Sequence, residues 1–522
     1  MMDYKIEKTT VYLIGAGPGD PGLISVKAKA LLESADVIIY DNLVNDQILD
    51  WCRSDARRVF VGKSSGQHSI PQSDINRLLI DEAKKGQSVV RLKGGDPLVF
   101  GRVSEEIASL EAAHIPYEIV PGVTSAIACA AYAGIPISQR ELSSSIIFLT
   151  GHENPDKQNL NLDFRDYAKS NATLCIYMGM GQLKRIVSEL LEGGLPATTP
   201  VAIIENGSYP LQRSCYAQLD TIIKESEAKA MVAPSIVFVG SVVGARGQNN
   251  WFEEKPLFGK SILVPRPRQQ AGELSQLLSG FGAAVLEVPF IKIEPSYDKN
   301  TITDVFSDIS SYEWIIFTSA NGVHAFFDLL EKAYEDIRAI GLSKIAVVGQ
   351  ATARAVKSHK LKVSLIPDQA NSEALANALI QFQSLDNLKL LLVTGNMNSD
   401  LLYKRLNDEG RALVDRLPLY KNVRTDLKEI PAFNRFKSNG ADLVLFTSSS
   451  TVHHYVEATQ SLKFEDKRKP VFGSIGKKTS ETLKHYNMPI AFESPVANLD
   501  HFVVETLSYF NQNQKNNNYD KN

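Results

Sequence analysis

The chain has 522 residues, 44% of them hydrophobic and 22% charged, with a formal net charge of −3. That length suits two to four globular domains, and the charge balance says nothing in favour of a nucleic-acid or membrane-binding surface. The polar N-terminus lacks a signal-type apolar core, and no apolar run is long enough to span a bilayer. Cys52, Cys129, Cys175 and Cys215 lie far apart in apolar settings. They fit neither a disulfide framework nor a metal site, so buried free thiols in the cytoplasm are expected.

Short β-branched runs alternate with helix-length stretches. Val11–Ile14, Val37–Tyr40, Val59–Val61, Val89–Leu92, Ile146–Leu149, Leu174–Tyr177, Val201–Ile204 and Ile236–Val239 read as strands. The pattern is α/β, with mainly parallel sheets and sites at strand ends. Periodicity lapses over 245–260, and a fresh strand at Ile262–Val264 opens a second α/β run. That run echoes itself: IIFTSANGV before AVVGQATA is matched later by VLFTSSSTV before GSIGKKT, at nearly the same offset. Two similar lobes explain the echo. The polar tail from Asn511 is expected to be disordered.

The first strand runs into Gly15-Ala16-Gly17-Pro18-Gly19-Asp20-Pro21-Gly22, and Asp41 ends the next strand. A dinucleotide site is the first thought, but Asp20 stands at the third glycine position. Pro18 and Pro21 also obstruct a helix starting inside the turn. Two further glycine-bearing turns follow strands: Arg91-Leu92-Lys93-Gly94-Gly95-Asp96-Pro97 and Pro121-Gly122-Val123-Thr124-Ser125. Three such turns suit a small-molecule pocket built largely of backbone. The isolated His68, His114 and His152 and the adjacent His453-His454 suggest no metal.

GAGPGDPG, Tyr40-Asp41, Gly62-Lys63, RLKGGDP, PGVTS, Tyr177-Met178-Gly179 and Glu205-Asn206-Gly207 together resemble the uroporphyrinogen-III C-methyltransferases of the tetrapyrrole methylase family. The resemblance implies a two-lobed methylase over 1–245, with lobes of about 1–120 and 121–245. It implies S-adenosylmethionine as methyl donor, bound by Pro18, Gly94, Gly95, Asp96, Val99, Thr124, Ser125, Met178 and Gly207. Asp41 would accept the proton that leaves the methylated macrocycle, and Lys63 would donate one. Arg91 and Lys93, which alternate along one strand, are candidates for substrate carboxylates. A strand-end capping role for Asp41 and a solvated edge for the cations are the bland alternatives. Val103-Ser104 and Ser138-Gln139-Arg140 depart from the family pattern. The family also implies a homodimer through 1–245.

After a linker at 246–259, residues 260–510 offer hydroxyl-rich strand-to-helix turns and few catalytic side chains. Helix N-termini hold carboxylates through free N–H groups, although Ser, Thr and Asn are also ordinary caps. A binding module is the alternative at this level. Ile262–Arg268, FTSANGV, AVVGQATA, FTSSSTV and GSIGKKT resemble the uroporphyrinogen-III synthases. The resemblance implies a bilobed fold, with lobe one at 260–293 plus 431–510 and lobe two at 294–430. It also implies cofactor-free closure of hydroxymethylbilane with ring inversion. Tyr420 matches a tyrosine that helps the hydroxyl leave. Arg266, Ser319, Thr352, Ser448 and Thr479 are candidate substrate contacts. Lys477-Lys478 replaces a common Pro-Thr, which keeps open a non-catalytic tetrapyrrole-binding module; a methylase of a later corrin intermediate is the other alternative. The expected conversion runs from hydroxymethylbilane through uroporphyrinogen III to precorrin-2, for sirohaem or cobalamin.

Overall fold

A computed structural model describes residues 7–53, 55–62, 70–151, 162–265, 268–396, 400–428, 430–462, 464 and 467–519. The described residues form four five-stranded sheets, the last two interleaved along the chain, with helices against them. The first comprises β1 (Val11–Gly15), β2 (Val37–Tyr40), β3 (Arg57–Phe60), β4 (Val89–Lys93) and β5 (Tyr117–Val120), in the order β3-β2-β4-β1-β5. Every pairing in it is parallel. β1 and β4 are central and wholly buried, as strands covered on both faces must be.

The second sheet holds β6 (Ile146–Thr150), β7 (Thr173–Tyr177), β8 (Pro200–Glu205), β9 (Arg213–Gln218) and β10 (Ser235–Val239), in the order β6-β7-β10-β8-β9. It is mixed rather than parallel, because β10 runs antiparallel to β7 and β8, and β9 antiparallel to β8. The helix Leu183–Glu192 shows how such sheets are covered: Leu183, Ile186, Val187 and Leu190 form one stripe, and all are buried.

The second half holds β11 (Ser261–Val264), β12 (Ala284–Glu287), β13 (Ile291–Pro295), β14 (Trp314–Phe317), β15 (Lys344–Val347), β16 (Lys389–Gly395), β17 (Leu413–Arg424), β18 (Leu443–Phe446), β19 (Val471–Ser474) and β20 (Ile490–Glu493). They form two sheets, β12-β11-β18-β19-β20 and β13-β17-β16-β14-β15. The echo in sequence is an echo in structure. β14 and β15 pair in parallel and feed the helices Ala320–Tyr334 and Gln350–Ser358; β18 and β19 do the same for Ser449–Thr459 and Lys477–His485. The crossing between lobes, expected near Ile293, comes earlier in the chain, because β13 already pairs with β17.

Two stretches differ from expectation. The 246–259 segment is packed, because its apolar side chains find partners: Phe252 and Leu257 are buried, and Trp251 and Phe252 meet Tyr132 edge-on. Trp251 Nε1 also donates to the Ala131 carbonyl at 3.0 Å. The polar stretch from Asn511, expected to be disordered, continues the helix Leu499–Tyr519. Phe502, Val503 and Phe510 anchor that helix in the core, and once a helix is nucleated each added residue costs little.

The turns after β4, β1 and β5 lie side by side, since those three strands are neighbours. Gly17 and Gly95 exchange backbone hydrogen bonds of 3.1 and 2.7 Å. A Cβ on Gly122 would sit 2.4 Å from the Gly95 carbonyl oxygen. Gly122→Ala should therefore destabilise the protein by about 1–3 kcal/mol. Gly181→Ala, where a Cβ meets nothing within 4 Å, should stay within about 0.5 kcal/mol. Urea unfolding of both variants makes the comparison.

Candidate functional site

The three turns open onto a cavity of about 910 Å³ whose wall includes Pro18, Gly94, Gly95, Ser125, Met178 and Gly207. These are six of the nine residues expected around a methyl donor. The other three stand just behind. Asp96 clamps two turns together, its carboxylate accepting from Leu98 N at 2.8 Å and Gly122 N at 2.9 Å. Thr124 Oγ1 bonds the Tyr177 hydroxyl at 2.6 Å, and Val99 packs beside Ala126 and Cys129.

Each wall residue is placed by local physics. The glycine turn is followed by a short 3-10 turn, Pro21–Leu23, and the helix proper waits until Val26, as the two prolines require. Asp20 accepts from Gly22 N at 2.7 Å and from the Tyr132 hydroxyl, so the residue that spoils a dinucleotide fingerprint tethers the turn to the helix that follows β5. That helix, Ser125–Tyr132, leaves the first sheet and buries Ala126, Cys129 and Ala130 against the second. Burial pushes the Cys129 thiol up to about 12, so it is an inert packing group. Met178 (φ 54°) and Asn206 (φ 49°) hold left-handed backbone at the cavity wall, a conformation that clusters at ligand sites. Ser208, Tyr209 and Met180 also line the wall and carry no sequence signal of their own.

The loop after β2 closes one side of the cavity. Asn45 Nδ2 donates to the Gly19 carbonyl at 2.7 Å, and Leu43 sits where any Cβ on Gly94 would fall. Asp41 begins this loop, one Oδ accepting from Leu43 N at 3.1 Å and the other facing Arg91 Nη2 at 3.5 Å. Its side chain is partly exposed, which leaves the carboxylate reachable. Lys63 lies outside the described residues.

Arg91 and Lys93, expected at substrate carboxylates, point into the protein. Both are buried, and both pair with the fully buried Glu106, at 3.1 and 2.9 Å. The strand they share is central, so their common face looks into the protein rather than to solvent. Burial and the Arg91 charge pull the Lys93 ammonium below its usual range, while Glu106 acts to raise it. Arg102, the third basic residue nearby, pairs with Glu105.

In the second half, Ser319 caps the helix Ala320–Tyr334 by accepting from Gly322 N at 3.0 Å. Its hydroxyl also meets the Tyr420 hydroxyl at 2.8 Å. Gly395 lets the ring in, since a Cβ there would stand 2.6 Å from Tyr420 ring atoms. Burial raises the Tyr420 phenol, so at neutral pH it remains an O–H donor. This pair lies beside the β14–β16 boundary, where the strand order reverses, the usual crevice of an open α/β sheet. In the other lobe Ser448 caps Ser449–Thr459 at the edge of β18. Thr352 and Thr479 are buried in the first turns of their helices. Arg266 lies outside the described residues.

Residues 10–223 match the family model of the tetrapyrrole (corrin/porphyrin) methylases, and residues 272–503 that of uroporphyrinogen-III synthase. The chain is 35% identical over 483 residues to a porphyrin biosynthesis protein HemD of Ruminiclostridium josui, covering 92% of this chain and 95% of that one. It is 37% identical over 358 residues to a uroporphyrinogen-III C-methyltransferase of Bacillus subtilis (strain 168), covering 69% and 73%. A Thermus thermophilus uroporphyrin-III C-methyltransferase solved with S-adenosylhomocysteine is 35% identical, with a TM-score of 0.39 over 48% of this chain and 98% of that one. The chain belongs to the porphyrin-biosynthesis family in which a tetrapyrrole methylase is joined to a uroporphyrinogen-III synthase.

The buried ion cluster is a structural dependence that the glycine motifs conceal. Removing one member of a buried charge cluster strands the others and typically costs about 3–5 kcal/mol. Glu106→Gln should destabilise by that amount. Glu105→Gln, which frees only an exposed arginine, should cost about 1 kcal/mol or less. Denaturant titration distinguishes the two.

Proposed function

We propose that this bifunctional enzyme closes hydroxymethylbilane to uroporphyrinogen III in its second half. The first half then transfers two methyl groups to give precorrin-2, which feeds sirohaem or cobalamin. S-adenosylmethionine supplies the methyl group as an electrophilic sulfonium carbon. The carrying observation is the cavity at three neighbouring strand ends, with Asp41 at the head of the loop that lines it. Its volume falls within the range of small-molecule sites. Its wall is largely glycine backbone and apolar side chain, including Met178 and Met180, which suits a flat adenosine and a sulfonium.

Asp41 is the base. Attack by a pyrrole carbon leaves the macrocycle cationic, and a carboxylate near it can take the proton that must depart. Arg91 Nη2 stands 3.5 Å from that carboxylate, and the Leu43 amide donates to its other oxygen and fixes its rotamer. In the synthase half, Tyr420 donates its hydroxyl proton toward the departing hydroxyl, with Ser319 aiming it. The remaining task there is orientation, since bringing the ends of a linear tetrapyrrole together converts closure into a near-unimolecular step. The helix N-termini after β14, β15, β18 and β19 hold the substrate carboxylates. The family resemblance supports a homodimer through the methylase half. Four buried cysteines, none in a disulfide, support the cytoplasm.

Asp41→Asn should leave donor binding intact while methyl transfer to supplied uroporphyrinogen III falls by roughly 10²–10⁴-fold. An unchanged rate with saturating substrate removes Asp41 from the mechanism. Tyr420→Phe should slow closure without weakening bilane binding. The uninverted isomer, which the bilane forms spontaneously, should then accumulate. Wild-type yields of the inverted isomer would leave Tyr420 with a packing role alone.

A further inference from the structure

The donor cavity is not walled by the methylase half alone. Besides Pro18, Gly95 and Met178, its wall includes Leu286, Arg435 and Arg468, all from the synthase half. The two halves touch at defined points around it. Arg435 Nη1 binds Asp46 Oδ2, and at the end of the connecting segment Gly259 N donates to the Pro210 carbonyl at 3.0 Å. Gln212 Nε2 also binds Glu253 Oε1 at 2.8 Å, tying the connecting segment to the strand pair β8–β9.

Asp46 occupies a particular place in the chain. It opens the 3-10 helix Asp46–Trp51, immediately after the loop that begins at Asp41. Within that loop Asn42, Leu43 and Asn45 line the cavity, Asn45 bonds the glycine turn, and Leu43 bonds Asp41. One short loop therefore carries the catalytic carboxylate at its head and an ion pair to the other enzyme at its foot. A cation from the synthase half that grips Asp46 restrains the loop and closes the cavity in one contact.

We infer that the synthase half is the outer wall of the methyl-donor site and that Arg435 is a positioning residue for methyl transfer, acting through Asp46 on the Asp41 loop. The inference rests on the reading of this cavity as the donor site. Donor affinity is then a property of the whole chain, and the two enzymes are joined by a shared wall as well as by the connecting segment.

The test titrates S-adenosylhomocysteine into the full-length protein by calorimetry. The variants are Asp46→Arg, Arg435→Asp and the charge-exchanged double variant. For an ion pair about a third exposed, each single reversal should weaken binding about two- to fivefold. The double variant should return to within about twofold of the intact protein, which a general loosening of structure would not produce. The Michaelis constant for S-adenosylmethionine should follow the same order. Bilane closure, assayed on the same samples, should keep the intact rate, because neither residue lies at the synthase turns. If a reversal abolishes closure, the neutral pair Asp46→Asn and Arg435→Gln carries the same comparison in folded protein. Unchanged affinity in both single variants, or no recovery in the double, overturns the inference and leaves the donor site standing. Failure of the intact chain to bind S-adenosylhomocysteine overturns the donor-site reading itself.

Discussion

Backbone touches backbone at the ends of β1, β4 and β5, and the first half of this protein depends on that contact. A Cβ on Gly15 would lie 2.6 Å from Gly122 N and 2.7 Å from the Gly95 carbonyl oxygen. No larger residue fits between these turns. Their glycines are commonly read as room for a ligand, but part of what they provide is room for one another. With the turns interlocked, the Asp96 carboxylate can span two of them, and the cavity in front acquires a rigid floor. Gly207 extends the principle to the second lobe, because a Cβ there would overlap Cys129. The site is thus a meeting of turns, and its shape follows from how closely peptide groups can pack.

The elements that rest on periodicity were legible in the sequence. β-branched runs between turn residues marked most strands of the first half, and the echo in the second half marked two equivalent pairs of strand and helix. What escaped has physical reasons. β9, Arg213–Gln218, is an edge strand whose short Cys215-Tyr216-Ala217 run holds no β-branched residue and sits between polar ends. Arg91 and Lys93 alternate on one strand whether that face is wet or dry; only Glu106, on a separate helix, decides it. The 246–259 segment is punctuated by polar residues and by Gly and Pro, which hides that Phe252 and Leu257 are core residues. Asp41, Ser319 and Tyr420 stood out through family motifs. The contact between Ser319 and Tyr420 needed the fold, because the chain brings them together from distant positions.

The two halves solve related problems with different parts of the same toolkit. In the methylase, strand ends present glycine backbone to the cavity. In the synthase, the corresponding positions are Ser-, Thr- and Lys-bearing helix starts, which favour anionic groups through orphan amides and the helix dipole. Thr352 and Thr479 are buried in the first turns of two of those helices. The connecting segment, packed on Tyr132 and bonded to Gln212, leaves little slack between the enzymes. Such an arrangement keeps one product near the next site, although proximity raises local concentration without creating a tunnel.

The account stands on one chain carrying out two consecutive conversions at two sites. The most direct measurement is to incubate the purified full-length protein with hydroxymethylbilane, with and without S-adenosylmethionine, and to identify the products. Without the methyl donor, the account predicts the inverted isomer, uroporphyrinogen III. With the donor present, it predicts a dimethylated product with the mass and spectrum of precorrin-2. Formation of only the uninverted isomer, or of uroporphyrinogen III that stays unmethylated when the donor is saturating, would contradict it.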